Sequence, residues 1–202
     1  MTGIIDYGVG NLFSLSSSLA AIGAETVITG DCDVLASCDR IILPGVGAFE
    51  DAIARLRAPG LDVFLHDMAS SGKPIMGICL GMQLLFEESY EYGCHKGLGL
   101  LKGKVVPMAG VIPEGLKVPH MGWNSLSIVR DHPLLRNTPD GEHMYFVHSY
   151  FATDCEDSVI ANTDYGAPLT AAVGKDNVCG AQFHPEKSGT AGLRMLKAFV
   201  EM

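Results

Sequence analysis

The segment Ile75-Met76-Gly77-Ile78-Cys79-Leu80-Gly81-Met82-Gln83 decides how this chain is read. A buried-type apolar strand enters, a cysteine stands between two glycines, and a helical stretch leaves. The G-x-C-x-G spacing fits a nucleophile elbow with cysteine in place of serine. Gly77 and Gly81 carry no Cβ, so a strand and a helix can cross sharply there. Such a turn lifts the sulfur to the carboxyl end of a sheet, where open α/β folds bind ligands. The following helix, expected over Met82–Glu88, would aim its N-terminal dipole at the sulfur and favour thiolate. The N–H of Leu80 could then meet an oxyanion. The same pattern is compatible with a buried cysteine in a glycine-lined turn.

On either side of this segment, short β-type runs alternate with amphipathic ones. Gly3–Asp6, Thr26–Thr29, Arg40–Leu43 and Pro74–Ile78 read as strands. Leu12–Gly23, Ala48–Leu56 and a stretch running to Ser71 read as helices, with stops at Gly23, Pro44-Gly45 and Pro59-Gly60. This alternation predicts a mainly parallel central sheet flanked by helices on both faces. From Gly97 to Tyr165 the chain is rich in Gly, Pro and β-formers, and strands are expected at Lys104–Pro107, Ser125–Val129, Met144–Ala152 and Ser158–Asn162. Ala171–Gly174 and Val178–Phe183 read as a closing hairpin, and Ala191–Val200 as a last helix. With 202 residues and no repeat or linker, one α/β domain over 1–202 with an antiparallel extension is expected.

A nucleophilic cysteine needs a base, and the base needs an orienting group. Phe183-His184-Pro185-Glu186 offers both at a strand end. On extended chain, residues two apart point to one side, so His184 and Glu186 can meet. Pro185 favours an extended conformation at His184.

Composition removes several classes. The net charge is −9 and no Lys/Arg cluster occurs, so nucleic acid is not an expected partner. No apolar run approaches the roughly 20 residues of a membrane-spanning helix, and Met1–Gly8 lacks the basic start of a signal peptide. Six cysteines are scattered without a C-x-x-C pair, which argues against a metal site and a disulfide framework. A cytoplasmic protein with reduced thiols and no cofactor is expected. Gly8-Val9-Gly10 reads as a tight turn rather than a phosphate loop.

Pro44–Gly47 (P-G-V-G), Gly77–Gln83 and Phe183–Glu186, in this order and spacing, resemble the class I, triad-type glutamine amidotransferase family. Ile5–Leu12, Lys96–Leu101, Val118–Asn124, Tyr145–Tyr150 and His184–Ser188 narrow the resemblance to the glutaminase subunits of imidazole glycerol phosphate synthases in histidine biosynthesis. The resemblance implies that Cys79, His184 and Glu186 form a triad that hydrolyses L-glutamine to glutamate and ammonia through a Cys79 thioester. It implies that Gln83, Ser149 and Tyr150 hold the substrate and that the N–H groups of Gly47 and Leu80 form the oxyanion hole. It places Asn11, Trp123, Tyr145 and Lys187 at a subunit interface and ammonia exit. The partner implied is a separate (β/α)₈-barrel cyclase subunit in a heterodimer, since a barrel of about 250 residues does not fit in this chain.

Trp123 alone reads either as an interface anchor or as a core residue. His120 and His148 read as structural or supporting residues. Gly45 and Gly47 permit a peptide flip, so the oxyanion donor is expected to be misoriented until the partner binds its own substrate. Competing readings are a stand-alone cysteine hydrolase, a non-catalytic subunit on this fold, and a glutaminase serving the pyridoxal phosphate pathway. The Val118–Asn124 block weighs against the last, and the intact Cys79/His184/Glu186 set against the second.

Overall fold

A computed structural model of the chain describes residues 1–202. The first half runs β1 (Thr2–Ile5), α1 (Leu12–Ala21), β2 (Thr26–Thr29), α2 (Cys32–Ala36), β3 (Arg40–Leu43), α3 (Phe49–Arg57), α4 (Leu61–Ser70), β4 (Ile75–Ile78) and α5 (Leu80–Leu84). The second half adds β5 (Glu88–Ser89), β6 (His95–Lys96), β7 (Lys104–Pro107), β8 (His120–Ile128) and β9 (His143–His148). It ends with β10 (Tyr150–Thr153), β11 (Val159–Asp164), β12 (Pro168–Lys175), β13 (Val178–Ala181) and α6 (Gly189–Val200).

Nine strands form one mixed sheet in the order β2-β1-β3-β4-β13-β12-β11-β8-β9. Every pairing from β2 to β13 is parallel. Every pairing from β13 to β9 is antiparallel. The antiparallel extension is therefore no separate unit: it continues the same sheet, and β13 belongs to both halves. A second sheet has the order β10-β7-β5-β6.

Strand periodicity divides the core between two faces. Ile5, Ile41, Leu43 and Ile75 pack with Phe49 and Leu56 of α3 and Phe64 and Leu65 of α4. Their neighbours Ile4, Ile42, Met76 and Ile78 pack with Leu15 and Leu19 of α1 and Leu196 and Phe199 of α6. The two clusters hold 25 and 23 buried residues, so neither face is open to water. That is why the parallel strands read as unbroken apolar runs. No helix is long and apolar enough to cross a membrane.

Three local expectations differ from the structure. α5 begins at Leu80 and ends at Leu84, and by Glu88 the chain is already strand, so the helix after Cys79 has only 5 residues. The expected strand Met144–Ala152 breaks at Ser149, with β9 pairing in the large sheet and β10 in the small one. The burial pattern shows the cause. Met144, Phe146 and His148 are buried on alternate positions, then the phase slips to Phe151 and Ala152. Cys32–Ala36 forms a short helix that periodicity does not show. Asp31 nucleates it by accepting from the N–H groups of Asp33 and Val34.

Candidate active site

Cys79 is the single residue between β4 and α5, at φ 54° and ψ −112°. A residue with a Cβ in this region costs about 1–3 kcal/mol, so the surroundings must enforce it. They do: the Cys79 N–H donates to the Ala181 carbonyl at 2.7 Å, and the Cys79 carbonyl accepts from Gln83 N–H at 3.2 Å. A Cβ on Gly81 would lie 1.9 Å from the Leu43 carbonyl oxygen, and one on Gly77 2.6 Å from the Gly81 oxygen. Only glycine lets β3, β4 and α5 approach this closely.

His184 follows β13, the strand next to β4, and this adjacency brings it to Cys79. Its backbone N–H donates to the Tyr145 carbonyl at 2.9 Å. Its Nδ1 lies 2.8 Å from Glu186 Oε1, and the two side chains are 3% and 4% exposed. His184 is extended, but Pro185–Lys187 form a 3₁₀ turn, so the carboxylate reaches the ring around one turn and not along a strand. Ser188 locks this turn, donating from Oγ to the His184 carbonyl at 2.7 Å and accepting from Tyr145 N–H at 2.9 Å. With Nδ1–H committed to a carboxylate, Nε2 is left for Cys79. Burial works against a charged ring, but hydrogen bonds and charge from Cys79 and Glu186 overcome it and raise His184 to about 9. The second oxygen of Glu186 is buried without a partner.

Cys79, Gly47, Leu80, Gln83, Ser149, Tyr150 and Lys187 all border one cleft of about 550 Å³, as does His184. Gln83 is 5% exposed, and its Nε2 donates to the Tyr150 carbonyl at 3.1 Å and to Gln182 Oε1 at 3.0 Å. Gln182 Nε2 in turn lies 3.8 Å from Cys79 Sγ. The five-residue α5 carries little macrodipole, so less of any thiolate stabilisation falls to the helix than its expected length implied.

Two residues at the site carried no motif. Glu91 is the one carboxylate on the cleft. Its Oε2 accepts from the Phe49 N–H at 2.6 Å, capping α3, where Ala48 supplies no side-chain cap. Gln182 is fully buried beside Cys79. Gln182 is two residues before His184 and could have been found as a polar residue in an otherwise apolar strand end. Glu91 had no local signal.

Asn11 sits behind this group. Its Oδ1 caps α1 by accepting from Ser14 N–H at 3.3 Å, and it lines a small cavity with His184 and Glu186. Trp123 is 54% exposed and Met121 62%, which settles the tryptophan as a surface residue. Tyr145 meets it edge to face at 6.0 Å between ring centroids, and Lys187 Nζ lies 6.0 Å from the Tyr145 ring. Behind them His120 Nδ1 and His148 Nε2 are 3.0 Å apart, and His148 Nδ1 donates to the Tyr150 carbonyl at 2.9 Å. Burial lowers His148 to about 4.

A cysteine elbow on a parallel sheet, with a His–Glu pair just past the end of the adjacent strand, agrees with the resemblance to class-I glutamine amidotransferases. The sequence model of that family, described as glutamine amidotransferase class-I, matches residues 3–202, and the chain belongs to it. Imidazole glycerol phosphate synthase subunit HisH of Bacillus velezensis is 52% identical over 205 residues, covering 100% of this chain and 96% of that protein. HisH of Bacillus subtilis is 51% identical over 205 residues, with the same coverage of 100% and 96%. HisH of Methanothermobacter thermautotrophicus is 50% identical over 202 residues, covering 100% and 98%. Among solved structures, PurLQS from Thermotoga maritima superposes with a TM-score of 0.78 at 23% identity, covering 99% of this chain and 97% of that one. A crystal structure of a glutamine amidotransferase gives 0.77 at 21% identity, with coverage of 99% and 97%. At such identities the likeness speaks for the fold.

Proposed function

We propose that this chain is the glutaminase subunit of an imidazole glycerol phosphate synthase, acting as one functional unit over 1–202 in the cytoplasm. The observation that carries the reading is the strained Cys79 elbow opening, together with the buried His184–Glu186 pair, onto one cleft. The names of relatives that align over the whole chain support the choice of synthase.

The Cys79 thiolate attacks the side-chain amide carbon of L-glutamine, forming a C–S bond. The N–H groups of Gly47 and Leu80 take the charge that develops on oxygen. His184 gives its proton to the leaving nitrogen as the C–N bond breaks, and ammonia departs. A water, deprotonated by His184, then breaks the thioester C–S bond and releases glutamate. Gln83 retains a free Oε1 for the substrate, because its Nε2 is already committed. Ser149 and Tyr150 line the same cleft beside it. Glu91 supplies the negative charge that an α-ammonium group requires.

The receiver of ammonia is a (β/α)₈-barrel cyclase subunit in a heterodimer, docked on the face of Trp123, Tyr145 and Lys187. The Gly45–Gly47 peptides flip to present the oxyanion donor when that partner is liganded. Glutamate release from L-glutamine tests the reading. The purified chain is assayed alone and with a barrel cyclase subunit carrying its ribulosyl-aminoimidazole carboxamide ribotide ligand, with Cys79→Ser as control. Strong stimulation by the liganded partner, absent in the mutant, is the expected result. No Cys79-dependent glutamate under either condition would overturn it in favour of a stand-alone hydrolase.

A further inference from the structure

The polar chain Tyr150–Gln83–Gln182–Cys79 has a direction that its chemistry fixes. A backbone carbonyl only accepts hydrogen bonds, so the end of Gln83 facing the Tyr150 oxygen at 3.1 Å must be its NH₂. That same NH₂ lies 3.0 Å from the Gln182 side chain, which must therefore present its oxygen. The Gln182 NH₂ is left at the opposite end, 3.8 Å from Cys79 Sγ. The assignment of both amides thus rests on their partners and not on the labels of nitrogen and oxygen. Gln182 is fully buried, so its NH₂ has no water to turn to.

We infer that Gln182 is a positioning residue for the nucleophile: its amide donates to the Cys79 sulfur, holds the thiolate on the His184 side of the elbow, and is itself oriented by Gln83. The inference rests on the reading of Cys79 as the nucleophile. A donor at the sulfur stabilises thiolate over thiol, as any hydrogen bond to a charged form does. The contact is long for an N–H···S bond at rest, and negative charge on sulfur strengthens it. Gln83 borders the glutamine cleft as well, so one side chain touches the substrate pocket and sets the amide that faces the reacting atom.

Alkylation of Cys79 by iodoacetamide, followed against pH in the full chain and read at Cys79 by peptide mass spectrometry, tests this. Mapping is needed because Cys94 is exposed and Cys32 half-buried, so both compete for the reagent. Gln182→Glu keeps the side-chain shape and the acceptor for Gln83 but turns a donor into an anion beside the sulfur. It should raise the pH midpoint by a unit or more and slow alkylation at pH 7 by about tenfold or more. Gln182→Met removes the donor without burying a charge and should give a smaller shift in the same direction. Gln83→Leu frees the Gln182 amide to turn over and should also shift the midpoint upward.

A purely structural role for Gln182 would lower the melting temperature without moving the alkylation midpoint. A folded Gln182→Glu or Gln182→Met protein with the wild-type midpoint would therefore overturn the inference. If Gln182→Glu does not fold, Gln182→Met decides. Wild-type Cys79 reacting no faster at pH 7 than exposed Cys94 would overturn the nucleophile reading itself. A reactive wild type with unshifted variants would overturn the role of Gln182 alone.

Discussion

β1, β4 and β13 are buried at every residue, whereas β8 and β9 alternate between covered and exposed positions. The first set lies between helices on both faces and has no freedom to shift. The second set has one face on the core, through Met144, Phe146 and Leu126, and turns Met121 and Trp123 outward. One half of the sheet is suited to fixing an atom in place, the other to presenting a surface. The cleft lies where they meet. Cys79 comes from β4, His184 from the end of β13, and Ser149-Tyr150 from the break where the chain leaves the large sheet for the small one.

If the parallel half fixes the reacting atoms, the largest losses should come from its seam. Cys79→Ser should lower glutamate release by about a thousandfold or more while the protein still folds, since the substitution swaps one atom. A melting curve beside the activity assay checks both. Gly81→Ala should follow, because its Cβ would enter the space of the Leu43 carbonyl oxygen. The backbone on either side has nowhere to go, and the cost should be about 3 kcal/mol or more in urea unfolding. Val129→Ala, 55% exposed immediately after β8, is the counterpart from the other half and should change stability by about 0.5 kcal/mol or less. Equal costs at the two positions would erase the distinction between the halves.

The seam should also announce itself by pH. His184 titrates near 9 in the folded protein, above the ordinary 6.5 of a histidine. Its folded value is raised, so the charged ring's contribution to stability is complete below pH 6.5 and fades as pH rises through about 9. An NMR titration of the ring should show that midpoint. In Cys79→Ser the midpoint should fall, because burial then opposes the charge with Glu186 as the remaining anionic support. An unmoved midpoint would mean that Cys79 and His184 are not electrostatically paired.

The sequence carried what local rules control. Gly77 and Gly81 announce the close crossing at Cys79, and the apolar runs announce β1, β3 and β4, because strand period and glycine sterics act within a few residues. What it did not carry depends on distant partners. The insertion of β13 between β4 and β12 joins residues about a hundred positions apart, such as Gly77 and Gly180. Gln182 gains its place from Gln83, 99 residues away, and Glu91 from Phe49, 42 residues away. The break at Ser149 falls inside a run that reads as one strand, Met144–Ala152, because only two separate sheets to receive its sides make it a break. The turn at Pro185–Lys187 was hidden because proline fits an extended chain and the first turn of a helix equally well.

The smallest cost to the active-site seam should come from the outward face of the antiparallel half. Trp123 is 54% exposed and has Tyr145 against its edge, so truncation removes little core packing. Trp123→Ala should therefore cost the isolated chain under about 1 kcal/mol in urea unfolding. The same truncation should weaken binding of a barrel cyclase subunit by about 10- to 100-fold, since large aromatic anchors dominate interface energies. Isothermal titration calorimetry with the isolated subunits reads the second number and urea unfolding the first. A large loss of stability with unchanged binding would make Trp123 part of the core and move the docking surface elsewhere. The expected pattern, binding lost and fold kept, would show that β8 gives up burial on one face in order to hold a partner there.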